Sequence, residues 1–132
     1  MNVKEENLKI HAVMATYVHA FEMADADLMR SLHWIDDPNF AEIEDTINEP
    51  FGHDKFLAFT DWTKRHRKPR RKMKFYDVKV NMLGPEIAYI IACQEISSSR
   101  EKKVDISRVT LIFLKKADEW KIIHGHFSSM PK

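Results

Sequence analysis

Two histidines stand two residues apart near the end of the chain, where a metal site would be sought first. His124 and His126 fall within a predicted strand, so both imidazoles project from the same face. Imidazole nitrogens are common zinc ligands, but a zinc site needs at least three protein ligands, and the spacing supplies no third. We therefore predict no metal, and we expect the pair, together with Arg108, Thr110 and Ser128, to make hydrogen bonds on the face opposite the pocket, close to a dimer interface.

Nucleophilic and cofactor chemistry find no support in the sequence. The single cysteine, Cys93, ends the apolar run Ile-Ala-Tyr-Ile-Ile-Ala-Cys and has no recognisable base beside it. No serine occupies the G-x-S-x-G turn of hydrolases, and no glycine-rich loop could hold a phosphate. We therefore predict neither a covalent intermediate nor a cofactor.

Charge is distributed unevenly along a chain whose net charge is only +1. Residues 1–63 hold 4 basic and 13 acidic side chains, whereas residues 64–132 hold 17 basic and 7 acidic ones. A basic run attracts nucleic acid, but no aromatic residues interleave this one to stack bases. We therefore expect no nucleic-acid partner and interpret the run as a solvated connector. Its members are Lys64, Arg65, Arg67, Lys68, Arg70, Arg71, Lys72 and Lys74.

The size and composition of the chain predict one domain over residues 1–132. With 44% hydrophobic residues and only three glycines and five prolines, the chain is expected to fold around one core with room for one pocket. No apolar run approaches the roughly 20 residues that cross a bilayer. The N-terminal sequence is too polar for a signal peptide, so we expect a cytoplasmic protein.

The first half of the chain predicts helices that could position an aromatic side chain. Asp25 is a suitable cap for a second helix that would end at Asp36-Asp37-Pro38, and residues 39–48 predict an irregular strand or a hairpin. Gly52-His53-Asp54 would begin a third helix, with Trp62 on its apolar side. From Glu5 to Ala24, apolar residues recur on one helical face: Leu8, Val13, Met14, Tyr17, Val18 and Phe21.

The second half of the chain predicts four strands, rich in β-branched and aromatic residues. Helices followed by strands with short connections indicate an α+β fold with an antiparallel sheet. Two of the strands are apolar on both faces, so the face that the helices leave open would meet a second subunit. We therefore predict a homodimer. The predicted strands are Phe75–Met82, Ile87–Ile96, Val104–Leu114 and Trp120–Phe127.

Three stretches of the chain resemble a known superfamily. Tyr17-Val18-His19-Ala20 and the following Asp25-Ala26-Asp27 are similar to the first helix and turn of ketosteroid isomerases, and Gly52-His53-Asp54 is typical of the same superfamily. The segment from Trp120 to Pro131 is similar to the W-x-x-x-H-x-H-x-S-x-x-P ending of the calcium/calmodulin-dependent protein kinase II association domain and of SnoaL-like proteins. The resemblance to this nuclear-transport-factor-two-like superfamily implies a cone-shaped fold, in which a curved, mainly antiparallel sheet wraps around the N-terminal helices.

The resemblance also implies candidate catalytic residues. Tyr17 matches the tyrosine with which the isomerases polarise a carbonyl, and Glu42 falls at the position of the proton-moving carboxylate, although a slip of one residue would select Ala41. The second oxyanion-stabilising acid falls at Val109, or at Thr110 after a slip, so ketosteroid isomerisation is not expected. The alternative is structural, with Tyr17 in the core and Glu42 on the surface.

The same resemblance places a pocket against the sheet. Where the kinase association domain carries arginines, this chain has Ile91, Leu111 and Phe127, which implies a cavity for a small apolar or weakly polar molecule. Glu95 lies either in this wall, where its pKa would be raised, or at the solvated end of the sheet. Further residues assigned to the wall are Tyr89, Cys93, Val109, Phe113, Ile123, Gly125 and Trp62.

Two functions therefore stay open from the sequence. The first is a small-molecule pocket protein that performs acid–base chemistry of the isomerase, cyclase or hydratase type. The second is a non-catalytic dimerisation or assembly module similar to a kinase association domain. They differ in whether Tyr17 and Glu42 share a cavity or lie apart, in the core and in solvent.

Overall fold

The fold was obtained as a computed structural model that describes residues 1–45, 47–66, 71–98 and 102–131. Three helices and a short strand precede four long strands, which confirms the predicted α+β class. The helices are α1 (Val3–Met23), α2 (Ala26–Ser31) and α3 (His53–Arg65). The strands are β1 (Ala41–Glu44), β2 (Arg71–Met82), β3 (Ile87–Ser98), β4 (Lys103–Lys116) and β5 (Glu119–Ser129).

The second helix is capped as its sequence predicts, but it ends earlier. The Asp25 carboxylate accepts a hydrogen bond from the Leu28 backbone N–H at 3.0 Å, which satisfies one of the free donors of the first turn. After Ser31 the chain leaves the helix because the Trp34 N–H donates to the Ile122 carbonyl at 2.9 Å. The expectation that this helix continues to Asp36 was wrong, since pairing with a distant strand competes with the helix.

The five strands form one curved sheet in the order β1-β5-β4-β3-β2. Every neighbouring pair is antiparallel except β1 and β5, which run parallel with Glu42 opposite Gly125. The register shifts in β2 between Tyr76 and Lys79, and at the β4–β5 pair after Ile112. The parallel edge strand brings the segment that follows α2 against the last strand of the chain.

The two faces of the sheet have different surroundings. On the inner face, Ile90 and its β4 neighbour Leu111 are almost fully buried in one core with Tyr17 of α1. On the outer face, Ile91 is 45% exposed and Ile87 is 37% exposed. The helices therefore cover the inner face and leave apolar side chains on the outer face accessible.

The basic run continues from the end of α3 into β2. Residues 67–70 lie outside the part of the chain that the structure describes. Of the others, Arg71 lies over the Phe21 ring at 4.8 Å and Lys74 is 3.4 Å from the Glu95 carboxylate. In the described ranges, no helix has the length and the apolar character required to cross a membrane.

Candidate functional site

The carboxylate of Glu42 lies on the inner side of the sheet, where the opposing residue has no side chain. Glu42 is only 4% exposed and faces Gly125 in the parallel β1–β5 pair. A Cβ atom placed on Gly125 would lie 3.4 Å from Glu42 Oε1, 3.1 Å from Leu111 Cδ2 and 3.2 Å from Phe127 Cε1. The glycine thus leaves the space in which the carboxylate meets the apolar wall.

Burial changes the acid strength of Glu42. Removal from water penalises the ionised form and, with a smaller effect of the Glu44 charge, raises the pKa of Glu42 from 4.5 to about 8. Within the described residues, no group donates a hydrogen bond to this carboxylate. At neutral pH the protonated form therefore dominates beside a minor ionised fraction, which suits a group that both accepts and returns a proton.

Tyr17 lies on α1 next to the same wall. Its ring packs against Phe75 with centroids 5.6 Å apart and against His33 at 6.0 Å. Burial, with a further contribution from the charge of Glu42, raises the pKa of Tyr17 well above its ordinary value. The phenol therefore stays protonated, and no hydrogen bond joins its hydroxyl to another described residue. Tyr17 and Glu42 thus influence each other electrostatically within one buried region.

His33 is a third buried polar group in this region. It is 3% exposed, its Nδ1 lies 2.7 Å from the Met29 carbonyl, and its Nε2 has no partner among the described residues. Burial lowers the pKa of His33 from 6.5 to about 4, so the ring is neutral at neutral pH. Sequence reasoning missed His33, since no motif or periodicity separates it from the helix it follows.

The predicted pocket wall combines residues from the outer face of β3 with residues from the inner face of β4 and β5. Val109, Leu111, Phe113 and Phe127 are buried on the inner face, near Glu42 or in the core beside it. Ile91 pairs with Thr110 and points to the outer face. Its assignment to the wall was wrong, and the residues that share its side of β3 are corrected with it: Tyr89, Cys93 and Glu95.

Trp62 lies outside the predicted pocket wall, on the surface of α3. It is 53% exposed and stacks on His66, with ring centroids 4.5 Å apart, because Phe56 and Thr60 form the buried side of α3. The expectation that Trp62 lines the pocket was therefore wrong.

Two of the open clefts on the surface of the described residues have volumes of about 290 and 690 Å³. The larger is lined by His33 and Trp34 together with charged residues such as Arg30 and Lys116, whereas Tyr17 and Glu42 line neither cleft. An apolar cavity shared by Tyr17 and Glu42 stays a prediction. That both side chains can form hydrogen bonds with one bound molecule also stays a prediction.

The histidine pair lies on the outer face of the sheet. His124 and His126 oppose Ile112 and Thr110 of β4, and His124 Nδ1 lies 2.8 Å from the Ala41 carbonyl. No cluster of three potential metal-ligating His, Cys, Asp or Glu side chains was found across the ranges that the structure describes. The pair shares its face with Thr110, Arg108 and Ser128, on the side opposite Tyr17 and Glu42.

Comparison of the sequence with models of protein families shows to which family this chain belongs. The model of the SnoaL-like domain matches residues 10–132. The chain belongs to the SnoaL-like family. No curated protein sequence gives a match. In this SnoaL-like domain, the match spans Tyr17, His33 and Glu42 as well as the entire sheet.

Solved structures share the SnoaL-like fold at low sequence identity. A proposed dehydratase of the NTF2-like family from Streptomyces avermitilis is 16% identical, with a TM-score of 0.84 over 98% of this chain and 99% of that one. An NTF2-like protein of unknown function from Shewanella oneidensis is 19% identical (TM-score 0.74, 93% and 98% covered). The association domain of C. elegans CaMKII is 17% identical (TM-score 0.76, 95% and 96% covered). These similarities confirm the predicted cone-shaped fold.

Proposed function

We propose that this SnoaL-like domain binds a small apolar or weakly polar molecule against the inner face of its sheet and moves a proton on it with Glu42. The observation that carries the proposal is a buried, unpaired carboxyl group whose pKa is raised to about 8. Unpaired buried carboxyl groups destabilise a fold, and strongly perturbed acids concentrate at functional sites.

The surroundings of Glu42 favour a neutral substrate. Leu111 and Phe127 contact the space in front of Gly125, and Val109 lies beside Phe127 in the β4–β5 register. These side chains offer no positive charge to a carboxylate or phosphate. A ligand in this region would therefore be held mainly by apolar contacts, with few polar contacts to orient it.

The proposed chemistry requires no co-reactant. The ionised form of Glu42 takes a proton from a carbon next to a carbonyl. The C–H electron pair becomes the carbon–carbon double bond of an enolate, and the π pair of the carbonyl moves onto its oxygen. The Tyr17 hydroxyl donates a hydrogen bond to that oxygen as it becomes negative. Glu42 then returns a proton to the enolate at the same or another carbon, and a proton that has exchanged with the solvent before this step appears as deuterium in D₂O. Val109 cannot donate a second hydrogen bond to the substrate oxygen. The expected reaction is therefore slower than in a ketosteroid isomerase, which has two donors, or it acts on a different substrate.

Deuterium exchange tests this proposal before a natural substrate is known. Cyclohexanone and its 4-hydroxy and 4-methoxy derivatives are incubated with the protein in D₂O, and deuterium uptake next to the carbonyl is measured by NMR. We expect faster uptake with the native protein, loss of the acceleration in Glu42→Gln, and a reduction on the order of 10²–10³ in Tyr17→Phe.

Glu95→Gln is the matched control for the exchange assay, since Glu95 is partly buried but lies on the outer face. Its exchange rate should equal that of the native protein. Absence of acceleration by the native protein for all three ketones, or an unchanged rate in Glu42→Gln, would contradict the proposed proton transfer.

A second function, assembly of two copies, is supported by the outer face of the sheet. Ile87 and Ile91 are exposed there, beside the partly buried Tyr89. Their β4 neighbours Leu114 and Ile112 pack against a buried cluster of the same chain, formed by Phe40, Phe56 and Ile123. Apolar side chains grouped on one sheet face are typical of subunit interfaces. We propose a homodimer in which the outer faces of two copies pack together, and this assembly would serve either as a scaffold for the site or as the main role.

Sedimentation velocity at micromolar concentration tests the dimer. Ile91→Lys places a charge on the outer face, on β3, and should yield monomers, whereas Leu8→Lys changes a 62% exposed residue of α1 and should leave the dimer intact. A native protein that sediments as a monomer, or an Ile91→Lys variant that remains dimeric, would exclude this interface.

A further inference from the structure

We infer that His33 is a specificity-determining residue whose Nε2 accepts a hydrogen bond from a hydroxyl or N–H group of the ligand. The inference rests on the proposed function, because it deepens the chemistry of the same site. It defines the ligand as a small apolar molecule that carries one oxygen acceptor and, at a separate position, one hydrogen-bond donor.

The hydrogen bond to α2 determines which ring nitrogen of His33 can accept. Nδ1 lies 2.7 Å from the Met29 carbonyl oxygen, and a carbonyl only accepts, so Nδ1 carries the hydrogen. Nε2 of the neutral ring then holds a lone pair and no hydrogen. Because the two nitrogens point in different directions from the ring, this lone pair is directed away from Met29.

Three aromatic rings pack near the ring of His33. The ring centroids of Phe56, Phe40 and Tyr17 lie 4.7, 5.9 and 6.0 Å from that of His33. The two phenylalanines provide no donor, and the Tyr17 hydroxyl makes no hydrogen bond to Nε2. A buried acceptor without a partner is uncommon and destabilising, so a donor from outside the described chain is its expected complement.

The backbone holds His33 in a fixed place. His33 forms an isolated bridge with Ile122, while Leu32 accepts a hydrogen bond from the Ile122 N–H at 2.8 Å and Trp34 donates one to the Ile122 carbonyl at 2.9 Å. These bonds flank the histidine on both sides. The acceptor is therefore rigidly positioned before any ligand arrives, as a selective polar contact requires.

Electrostatics keeps Nε2 available as an acceptor. The pKa of His33 is lowered to about 4 by burial, so the imidazole stays neutral throughout the physiological range. Tyr17 stays protonated in the same range, so its hydroxyl can donate a hydrogen bond to an acceptor on the ligand. A ligand with a donor near Nε2 and an acceptor near the Tyr17 hydroxyl therefore satisfies both side chains, and Glu42, whose charge acts on Tyr17, lies on the inner side of the sheet to exchange a proton.

Matched ketones test this inference. The exchange assay compares 4-hydroxycyclohexanone with 4-methoxycyclohexanone, which lacks the donor. We expect the native protein to have a KM at least about tenfold lower for the hydroxy compound, because one good hydrogen bond is worth about a factor of ten. In His33→Phe, which preserves an aromatic ring in the cluster, both ketones should show the same KM with kcat little changed.

Long-range ¹H–¹⁵N NMR of histidine-labelled native protein gives a second readout that does not depend on a variant. Addition of 4-hydroxycyclohexanone should shift the Nε2 resonance of His33 and leave Nδ1 in place, while the methoxy compound should shift neither. Equal KM values for the two ketones, a preference retained in His33→Phe, or an unmoved Nε2 resonance would overturn the role of His33 alone. Absence of exchange with all ketones would overturn the proposed function and this inference with it.

Discussion

Replacement of Glu42 by Gln should increase stability at neutral and alkaline pH. The pKa of Glu42 is about 8 in the folded protein and 4.5 as the ordinary value for an unfolded chain. This difference corresponds to about 5 kcal/mol of destabilisation above pH 8 and to about 3 kcal/mol at pH 7. Gln has nearly the same shape and no ionisation to suppress, so Glu42→Gln removes this penalty.

The sign of the effect follows from proton binding. Below about pH 4.5 the carboxyl is protonated in both states, and Glu42 contributes no pH-dependent term. Between about pH 4.5 and 8 the unfolded chain releases the proton while the folded protein retains it, so the free energy of unfolding falls as pH rises. Above about pH 8 both states are ionised and the loss is complete.

Guanidinium chloride unfolding at pH 5, 6, 7, 8 and 9, at one protein concentration, measures this effect. The stability difference between Glu42→Gln and the native protein should grow by about 1.4 kcal/mol per pH unit through the middle of the range. Glu119→Gln removes a carboxylate that is 65% exposed and provides the control. Parallel curves for Glu42→Gln and the native protein would refute the burial of the Glu42 carboxyl.

Three further substitutions test other parts of the structure. The native protein should lose about 3 kcal/mol of stability between pH 6.5 and about 4, because the unfolded chain binds a proton at His33 that the folded protein excludes. His33→Phe should remove this loss. Denaturant unfolding of both proteins at pH 4 and 7 measures the difference. Gly125→Val should lower stability by about 1–3 kcal/mol, since its side chain would press on Leu111, and thermal unfolding measures the loss. Trp120 donates a hydrogen bond to the ionised Glu6 and lowers its pKa, so the native protein should lose stability as the pH falls from 4.5 to about 2. Glu6→Gln should make this loss smaller. Acid titration of the native and variant proteins compares the two losses.

Local signals in the sequence predicted most of the fold. Asp25 caps α2 through its own side chain, and runs of β-branched and aromatic residues located the four long strands. These features depend on neighbouring residues, so a sequence contains them directly. The parallel pairing of β1 with β5 depends on residues more than eighty positions apart and was not predicted.

The candidate site was only partly predictable, for a physical reason. Ile90 and Ile91 are equally apolar, so alternation along β3 could not decide which one faces α1; packing decides it. Glu42 stands among acidic neighbours that suggest a surface position, and only its pairing with Gly125 shows its burial. His33 became visible as a site residue only through the unsatisfied nitrogen in its aromatic surroundings.

The pairing of β1 with β5 also sets the order in which the site can form during synthesis. Tyr17, His33 and Glu42 leave the ribosome early, but Gly125 and Phe127 follow more than eighty residues after Glu42. Until then the carboxyl group stays hydrated, with an ordinary acidity, and the edge of β4 that β5 will occupy has no partner. At translation rates of about 5–20 residues per second, this interval lasts several seconds. A nascent chain therefore passes through a period in which its strand edge is open to other chains, and the last strand completes the sheet and creates the unusual acid in one step.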